Sequence, residues 1–443
     1  MKNAREVALN AIYDIENKGL YSNIGVNKYL KNSNLKDVDR GFATEIIYGV
    51  VENRYFLNYV IDKFSSIKSN KLSSYVRIIL QMGIYQILFL DSVKEFAAVN
   101  ESVNLAKKYH KKASGFVNGV LRNIVRNQEK IKYPDKNKDL IKYFSVKYSY
   151  ERWIIENWIN NFGEEFTQDL IEANSEKPNL YLRTNTLKIS RDELIKKLKN
   201  YGIECEKVKI VEEAIMVKNL KNIENNKMFK KGYFQVQDIS SMIIGHIINP
   251  NKNSRILDVC SAPGGKATHL ATLMENTGQV VARDIFEHKL KLISENVKRL
   301  GLNNVKVEKF DALNIDEKNI GKFDYVLVDA PCSGFGIIRR KPEIKYKTKK
   351  EVLNLPQIQK NILKNSSKYV KKGGLLVYST CTIEDRENIE IINDFLKEND
   401  NFELEPISNI KIDLENQEKG YIKLYPHIHG MDGFFIAKIR KVR

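Results

Sequence analysis

The segment RILDVCSAPGGKATHL, residues 255–270, joins a short apolar run to a turn of small residues and then to a helical pattern. Four more apolar or β-branched runs follow it, and helical segments such as His288–Leu300 separate several of them. Strands that alternate with helices in this way form a parallel sheet with helices on both faces. We therefore predict an α/β fold here, in which the later strands are QVVARD, VKVEKF, DYVLVDA and GLLVYST.

Acidic and small residues stand where these predicted strands end, which is the edge where ligands bind in such folds. The turn Cys260–Lys266 lets a ligand approach the backbone, and the helix after it presents free N–H groups. Asp258, Asp284 and Asp311 close three successive strands. At the second strand end a carboxylate can accept hydrogen bonds from both ribose hydroxyls, and at the third it can contact an adenine amine. Because the turn is neither GxGxxG nor GxxxxGK[ST], a nucleoside-bearing cofactor other than NAD or ATP is predicted.

Two of the four cysteines stand at the ends of adjacent predicted strands, Cys332 in DAPCSG and Cys381 in STCT. A buried cysteine is usually a small hydrophobic residue, which is our interpretation of Cys205, while Cys260 is expected to pack against the cofactor. No CxxC pair or Cys/His cluster has zinc spacing, so neither a disulfide framework nor a metal site is predicted. Cys332 and Cys381 are therefore predicted to be reactive thiols beside the cofactor loop.

The rest of the chain is predicted to form a helical domain and an α+β region. Apolar residues at helical spacing indicate helices at 4–15, 72–90, 97–109 and 116–125. A polar, proline-containing stretch, residues 127–139, is typical of a linker. Residues 140–245 mix helices, at 153–174 and 191–201, with short strands.

A net charge of +18 favours a polyanionic partner, and nucleic acid is the leading candidate. Lys107–Lys112, with Arg122 and Arg126 on the next helix, is a candidate phosphate-contacting patch, as is Arg339–Lys341 after DAPCSG. A solvated charged face and a compositional bias are the alternative interpretations. The N-terminus lacks the features of a signal peptide, and the apolar run Ile78–Leu90 is too short to cross a bilayer. We expect a cytoplasmic protein with no membrane partner.

DVCSAPGGKATHL, DAPCSG and YSTCT, in this order, resemble the motifs of the RNA 5-methylcytosine methyltransferases, and the likeness extends to GMDGFFIAKIRK. AREVALNAIY, VRIILQMGIYQILFLDSVK, AVNESVNLAKK and FVNGVLRNI resemble NusB, a helical RNA-binding fold. This fusion is the arrangement of a bacterial family that methylates cytosine in 16S ribosomal RNA. A small departure is KYSYERW, where the family often has a His-Pro pair after the serine.

The resemblance implies a NusB-like helical domain at residues 1–130, a small α+β domain at 140–245 and a Rossmann-like class I methyltransferase domain at 246–443. It implies that S-adenosyl-L-methionine is the cofactor and 16S ribosomal RNA the substrate of a monomeric enzyme, with DNA excluded. Transfer RNA is the alternative substrate. A non-enzymatic RNA adaptor would not need Cys332, Cys381 and Asp284.

By the same resemblance, Cys381 is the nucleophile, Cys332 assists product release and Asp329 hydrogen-bonds the cytosine ring. The residues alone do not say which thiol attacks, because DNA cytosine methyltransferases use the Pro-Cys position. The resemblance also implies a cofactor-binding set of Cys260, Ser261, Ala262, Pro263, Gly264, Gly265, Lys266, Asp284, Asp311 and Asp329.

Overall fold

The computed structural model describes residues 3–220 and 222–443 and divides into two compact units. The helical unit contains the chain up to Ser175 together with Ile338–Lys349. The α/β unit contains Glu176–Ile337 and Lys350–Arg443. In the described part of the chain, no helix has both the length and the apolar character needed to cross a membrane.

The helical unit is built around α5, whose residues from Ile78 to Gln86 are all buried. Local signals set its helix ends: the side chain of Asn3 accepts a hydrogen bond from the backbone of Glu6 at the start of α1, and Gly19 ends α1 with a φ of 64°. The helices are α1 Ala4–Lys18, α2 Ser22–Lys31, α3 Asp37–Glu52, α4 Arg54–Phe64, α5 Ser74–Phe89, α6 Glu95–Tyr109, α7 Ser114–Arg126, α8 Leu140–Lys147, α9 Arg152–Phe162 and α10 Glu164–Ala173.

The helix predicted at residues 153–174 is two helices in the structure. Gly163, with a φ of 86°, stands between α9 and α10. That backbone conformation lies outside the helical region and favours glycine, so the chain turns there. The four helices predicted within the first 130 residues are confirmed as parts of α1, α5, α6 and α7.

The α/β unit begins with a small antiparallel sheet in the order β2-β3-β1-β4. Apolar side chains from one face of this sheet and from α11, among them Leu182, Leu194 and Phe234, form its core. This is the later part of the α+β region predicted at 140–245, because residues 140–175 belong to the helical unit instead. Its elements are β1 Leu180–Thr184, α11 Arg191–Lys199, β2 Glu204–Lys207, β3 Ala214–Lys218, α12 Lys227–Lys230 and β4 Phe234–Val236.

A second sheet has eight strands, with the order β10-β12-β9-β8-β5-β6-β7 and β11 paired to β12. Its strands are β5 Arg255–Asp258, β6 Gln279–Asp284, β7 Val305–Lys309, β8 Phe323–Asp329, β9 Val370–Thr380, β10 Phe402–Leu404, β11 Tyr421–Leu424 and β12 Phe434–Lys441. Its helices are α13 Ile239–Ile248, α14 Gly265–Leu273, α15 Glu287–Leu300, α16 Lys349–Leu353, α17 Leu355–Ser367, α18 Ile389–Glu398 and α19 Pro426–His429.

The five strands predicted from sequence, β5 to β9, are neighbours and run parallel. Neighbouring side chains alternate between two apolar cores, so that Ile256 enters one and Leu257 the other. The sheet is mixed rather than wholly parallel, because β12 runs antiparallel to β9 and carries β10 and β11 with it. This antiparallel edge was not predicted.

Candidate functional site

The two cysteines predicted to be reactive lie in contact. Asp329 and Ser379 are paired in the register of β8 and β9, so the loops that follow these strands leave the same edge of the sheet. The sulfur atoms of Cys332 and Cys381 are 3.2 Å apart, and neither cysteine is in a disulfide bond. A disulfide requires about 2.05 Å, so these are two separate thiols at hydrogen-bonding distance.

An ion pair stands beside the thiols. The Nζ atom of Lys266, in the first turn of α14, lies 2.7 Å from Oδ2 of Asp329, and the hydroxyl of Ser379 donates to Oδ1 at 2.9 Å. Burial disfavours the charge of Lys266, yet Asp329 and the neighbouring Cys381 raise its pKa above the ordinary value. A positive charge is therefore held beside Cys381 and Asp329.

The surroundings of Cys332 raise its pKa. Hydrogen bonding to Cys381, burial and the nearby charges of Glu387 and Asp329 raise the pKa of Cys332 well above that of a free cysteine. Cys332 is thus held as a thiol that can donate to the sulfur of Cys381. The structure brings together all three predicted catalytic residues.

Buried polar side chains hold the Cys332 loop, and sequence reasoning missed them. Oε2 of Glu387 accepts hydrogen bonds from the backbone of Ser333 and from the side chain of Gln359, both at 2.9 Å. Gln359 also donates to the carbonyl of Pro331 at 2.9 Å. Glu387 lies in the charged stretch IEDREN and Gln359 in a helix, so neither carries a local signal.

The turn that connects β5 to α14 forms the predicted cofactor edge. Gly264 has a φ of 92°, which favours glycine, and the backbone N–H of Ser261 donates to the carbonyl of Arg283 at 2.7 Å. This bond ties the turn, Cys260–Lys266, to the end of β6. All seven predicted turn residues therefore lie at the ends of β5 and β6.

The side chains at this edge fit a nucleoside. Asp284 is 7% exposed, and its Oδ1 accepts from the backbone of Phe286 at 3.2 Å, which orients the carboxylate at the end of β6. Asp311 follows β7, and its Oδ1 accepts from the backbone of Leu313 at 2.9 Å. Ile285, Phe286 and Leu313 are exposed apolar side chains at these strand ends. Carboxylate acceptors beside an apolar surface suit the ribose and the adenine of S-adenosylmethionine.

Three other residues considered in the sequence analysis are Asp258, Cys260 and Cys205. Asp258 is fully buried, and burial together with the charge of Asp329 raises its pKa to about 7, so it lies inside the protein rather than at the ligand edge. Burial also raises the pKa of the thiols of Cys260 and Cys205. Cys205 packs in the core of the small sheet, as predicted.

The basic patch predicted on the helical unit falls into two separate groups of residues in the structure. Because α6 and α7 are antiparallel neighbours, Arg122 and Arg126 line a groove of about 600 Å³ with Lys94 and Phe96, at the start of α6. Lys107–Lys112 lie at the other end of α6, in its last turn and just after it, roughly 15 Å away along α7. Phe96 is 65% exposed, which gives this basic groove an aromatic face.

The basic run Arg339–Lys341 is not the open loop that the sequence indicated. Its residues are half-buried and belong to the helical unit. The Nζ atom of Lys341 lies 4.5 Å from the ring centre of Tyr21.

One cluster in the described chain has the side chains of a transition-metal site. Oε1 of Glu213 lies 2.6 Å from Nε2 of His269 and 3.0 Å from Nε2 of His246. Burial lowers the pKa of His269 to about 4, with Arg183 adding to the effect, so this ring is neutral near pH 7. The short contacts are direct hydrogen bonds beside a buried guanidinium, which explains the cluster without a metal ion.

Similar proteins span the whole chain. Residues 2–126 match the NusB family, 150–224 the ferredoxin-like domain of RsmF/B-like methyltransferases and 245–440 the family 16S rRNA methyltransferase RsmB/F. A probable ribosomal RNA small subunit methyltransferase B of Bacillus subtilis is 38% identical and matches over 99% of this chain and 98% of its own length.

Solved structures agree with this assignment. The crystal structure of PH0851 covers 98% of both chains with a TM-score of 0.86 and 26% identity. NSun6 from Pyrococcus horikoshii, solved with the S-adenosylmethionine analogue SFG, covers 65% of this chain and 97% of its own, with a TM-score of 0.61 and 26% identity. The matches confirm the predicted order of a NusB-like domain, a small middle domain and a Rossmann-like methyltransferase domain. This is the domain order of RsmB (Sun/Fmu), which the sequence resembles. The chain belongs to the RsmB/F family of 16S rRNA methyltransferases.

Proposed function

We propose that this protein transfers a methyl group from S-adenosylmethionine to carbon 5 of a specific cytosine in 16S ribosomal RNA, through a covalent adduct with Cys381. The observation that carries the proposal is the contact of two cysteine side chains that form no disulfide, Cys332 and Cys381, beside the Asp329–Lys266 ion pair. The relatives are named as probable small-subunit ribosomal RNA methyltransferases, which supports the same substrate.

Methylation at carbon 5 of cytosine requires a nucleophile from the enzyme, because carbon 5 is itself too weak a nucleophile to attack the methyl donor. A thiolate that adds to carbon 6 converts the ring into an enamine and makes carbon 5 reactive. Cys381 supplies that thiolate, and the charge of Lys266 beside it favours its formation. Asp329 hydrogen-bonds the ring and so favours addition. S-adenosylmethionine, when bound, supplies an electrophilic methyl group at this edge.

Release reverses the addition. The proton on carbon 5 must leave before the bond between carbon 6 and the sulfur of Cys381 can break. Before addition, hydrogen bonding to Cys381 raises the pKa of Cys332 and favours its thiol form. That effect ends once the sulfur of Cys381 is bonded to carbon 6. Cys332 lies 3.2 Å from that sulfur, so its thiolate is then placed to accept the carbon-5 proton. The bond from carbon 6 to sulfur then breaks, and Cys381 leaves as a thiolate.

The cofactor occupies the ends of β5, β6 and β7 in this proposal. The turn Cys260–Lys266 contacts it through the backbone, Asp284 accepts hydrogen bonds from the ribose, and Asp311 contacts the adenine amine. Asp329 completes the set. Asp284 supports this assignment, because its carboxylate is oriented by backbone N–H groups and stands next to the exposed Ile285 and Phe286.

The RNA backbone lies in the groove of the helical unit. Lys94, Arg122 and Arg126 contact phosphates there, and a base stacks on Phe96. The groove is lined by these three cationic side chains and by one acidic side chain, Glu95, so it suits a polyanionic ligand. Glu95 already accepts a hydrogen bond from Gln128. We further propose that the enzyme acts as a cytoplasmic monomer and that its domains span 1–130, 140–245 and 246–443.

The test is methylation by the purified protein of 16S ribosomal RNA and of transfer RNA, followed by bisulfite sequencing. We expect one protected cytosine in 16S ribosomal RNA and none with Cys381→Ala. Protection in transfer RNA alone would replace the substrate, and a methyl group on another base would overturn the proposed chemistry.

A further inference from the structure

Residues Ile338–Lys349, here named the strap, belong to the helical unit, although the chain on either side of them belongs to the α/β unit. Ile344, Lys345 and Tyr346 are all buried, and Tyr346 is part of the apolar core formed by the NusB-like helices. The chain therefore leaves the α/β unit six residues after Cys332 and returns to it at Lys350.

Tyr346 completes the corner between α3 and α4. Its hydroxyl donates to the carbonyl of Val51 at 2.6 Å, with the carbonyl of Glu52 at 3.1 Å, and accepts from the backbone N–H of Arg54 at 3.1 Å. The guanidinium of Arg54 lies 3.7 Å from the centre of the Tyr346 ring. Helix ends leave carbonyls and N–H groups unpaired, and here a single side chain satisfies the end of one helix and the start of the next.

Glu343 makes a second anchor in the NusB-like helices. Its Oε1 accepts from the backbone N–H of Ser22, the first residue of α2, at 3.1 Å. A carboxylate at a helix N-terminus is stabilised by the free N–H groups and the helix dipole. Glu343 and Tyr346 therefore cap three ends of α2, α3 and α4 from a segment about 290 residues or more away in sequence.

The other side of the strap is held by α8 and α9. Nζ of Lys345 donates to the carbonyl of Tyr148 at 3.2 Å, and the Lys345 carbonyl accepts from the backbone of Glu151 at 2.9 Å. The indole of Trp153 donates to the carbonyl of Lys347 at 2.8 Å. Buried polar groups with this many partners specify one position of the strap rather than a loose apolar contact.

The strap adjoins the catalytic thiols through a short stretch of backbone. The N–H of Gly336 donates to the carbonyl of Cys381 at 3.0 Å, and the carbonyl of Gly336 accepts from the N–H of Gly433 at 2.8 Å. Only Ile337 separates Gly336 from the first strap residue. The strap is therefore joined by one residue of backbone to a glycine that is hydrogen-bonded to Cys381.

We propose that Tyr346 and Glu343 are positioning residues, through which the NusB-like helices hold the Cys332 loop in the geometry needed to release the methylated base. The inference rests on the proposed function, because it assigns the helical unit a part in the step that Cys332 serves. This role in release is distinct from RNA binding, which we assign to the groove near Phe96.

The test is the Tyr346→Phe variant of the full chain, which keeps the ring and removes the hydroxyl. We expect kcat to fall roughly ten- to hundredfold, as small misplacements of catalytic groups do, with KM for RNA and cofactor unchanged within twofold. Denaturing gels should show more covalent protein–RNA complex than the wild type forms. Glu343→Gln should shift both readouts in the same direction.

The matched control is Tyr29→Phe, which removes a hydroxyl that donates to Asp14 at 2.8 Å in the same unit, near the end of α2 opposite to the one that Glu343 contacts. A kcat and adduct level for Tyr346→Phe equal to those of Tyr29→Phe at matched thermal stability would overturn the proposal. A rise in KM for RNA alone would also overturn it, since the strap would then serve binding. A wild-type enzyme that forms no adduct at all would instead refute the proposed function.

Discussion

The sulfur atoms of Cys332 and Cys381, 49 residues apart in sequence, lie 3.2 Å apart in the structure. The contact arises because β8 and β9 are parallel neighbours, and Asp329, the last residue of β8, is paired with Ser379, one residue before the end of β9. Two thiols in contact, one of them with a raised pKa, can divide addition and release between them.

Single substitutions should separate the two roles. Cys381→Ala is expected to form neither product nor adduct, because carbon 6 of the base receives no thiolate. Cys332→Ala should still add Cys381 to the base and then accumulate a protein–RNA complex that survives a denaturing gel. RNA that contains 5-fluorocytosine should trap the wild type, since fluorine blocks the elimination. If Cys381→Ala were the variant that trapped RNA, the two assignments would be reversed.

The same contact predicts sensitivity to peroxide. Hydrogen peroxide should oxidise the two thiols to a disulfide, each giving up one hydrogen as peroxide is reduced to two water molecules. We expect loss of activity, a mass lower by two hydrogen atoms and full recovery with a thiol reductant. In Cys332→Ala, the mass should instead rise by added oxygen at Cys381. An unchanged mass in peroxide-inactivated wild type would show that the thiols cannot close to the required 2.05 Å or so.

Asp284→Ala should weaken S-adenosylmethionine binding by about 1.5 to 3 kcal/mol, the range for hydrogen bonds to a charged group. Calorimetry measures the affinity, and circular dichroism checks the fold, because Asp284 also accepts from the backbone of Phe286. Glu287→Ala, an exposed acid in the next helix, is the control and should leave affinity unchanged. Wild-type affinity in folded Asp284→Ala would remove this residue from the cofactor site.

The proposed RNA-binding groove predicts how RNA affinity depends on salt concentration. Replacing both Arg122 and Arg126 by Gln should lower RNA affinity and reduce the slope of log K against log salt by about 0.7 per contact to single-stranded RNA. Phe96→Ala should lose about 1–3 kcal/mol of stacking and leave the slope unchanged. The control replaces Lys111 and Lys112, at the other end of α6, by Gln. A larger loss in that control would locate the RNA there.

The cluster around Glu213 predicts a pH dependence of stability. Burial lowers the pKa of His269 from 6.5 to about 4, so between those values the unfolded chain binds a proton that the folded chain does not. Stability should therefore fall as pH drops from 6.5 towards 4, by at most about 1.4 kcal/mol per pH unit from this residue. Urea unfolding at several pH values should show a smaller decline for His269→Gln. An identical pH slope in both proteins would contradict the assignment.

The amino-acid sequence by itself determined four helices of the NusB-like domain, the five parallel strands and the edge that carries the chemistry. These follow from local patterns: apolar periodicity predicts each element, and strand ends in an α/β fold meet at one edge. The motifs around Cys260, Cys332 and Cys381 could be placed in the site for that reason. Their roles came from resemblance, since the residues alone left both thiols as candidates.

Only the tertiary structure decided the contacts between residues distant in sequence. Glu387 supports the Cys332 loop, and the antiparallel β12 extends the sheet. Arg122 lines a groove with Lys94 rather than with Lys112, which is nearer to it in sequence. Tyr346 caps helices that lie near the other end of the chain. Such pairings leave no periodic trace, because they depend on how packed elements bring polar groups into reach, and a buried polar group takes whichever partner the fold presents.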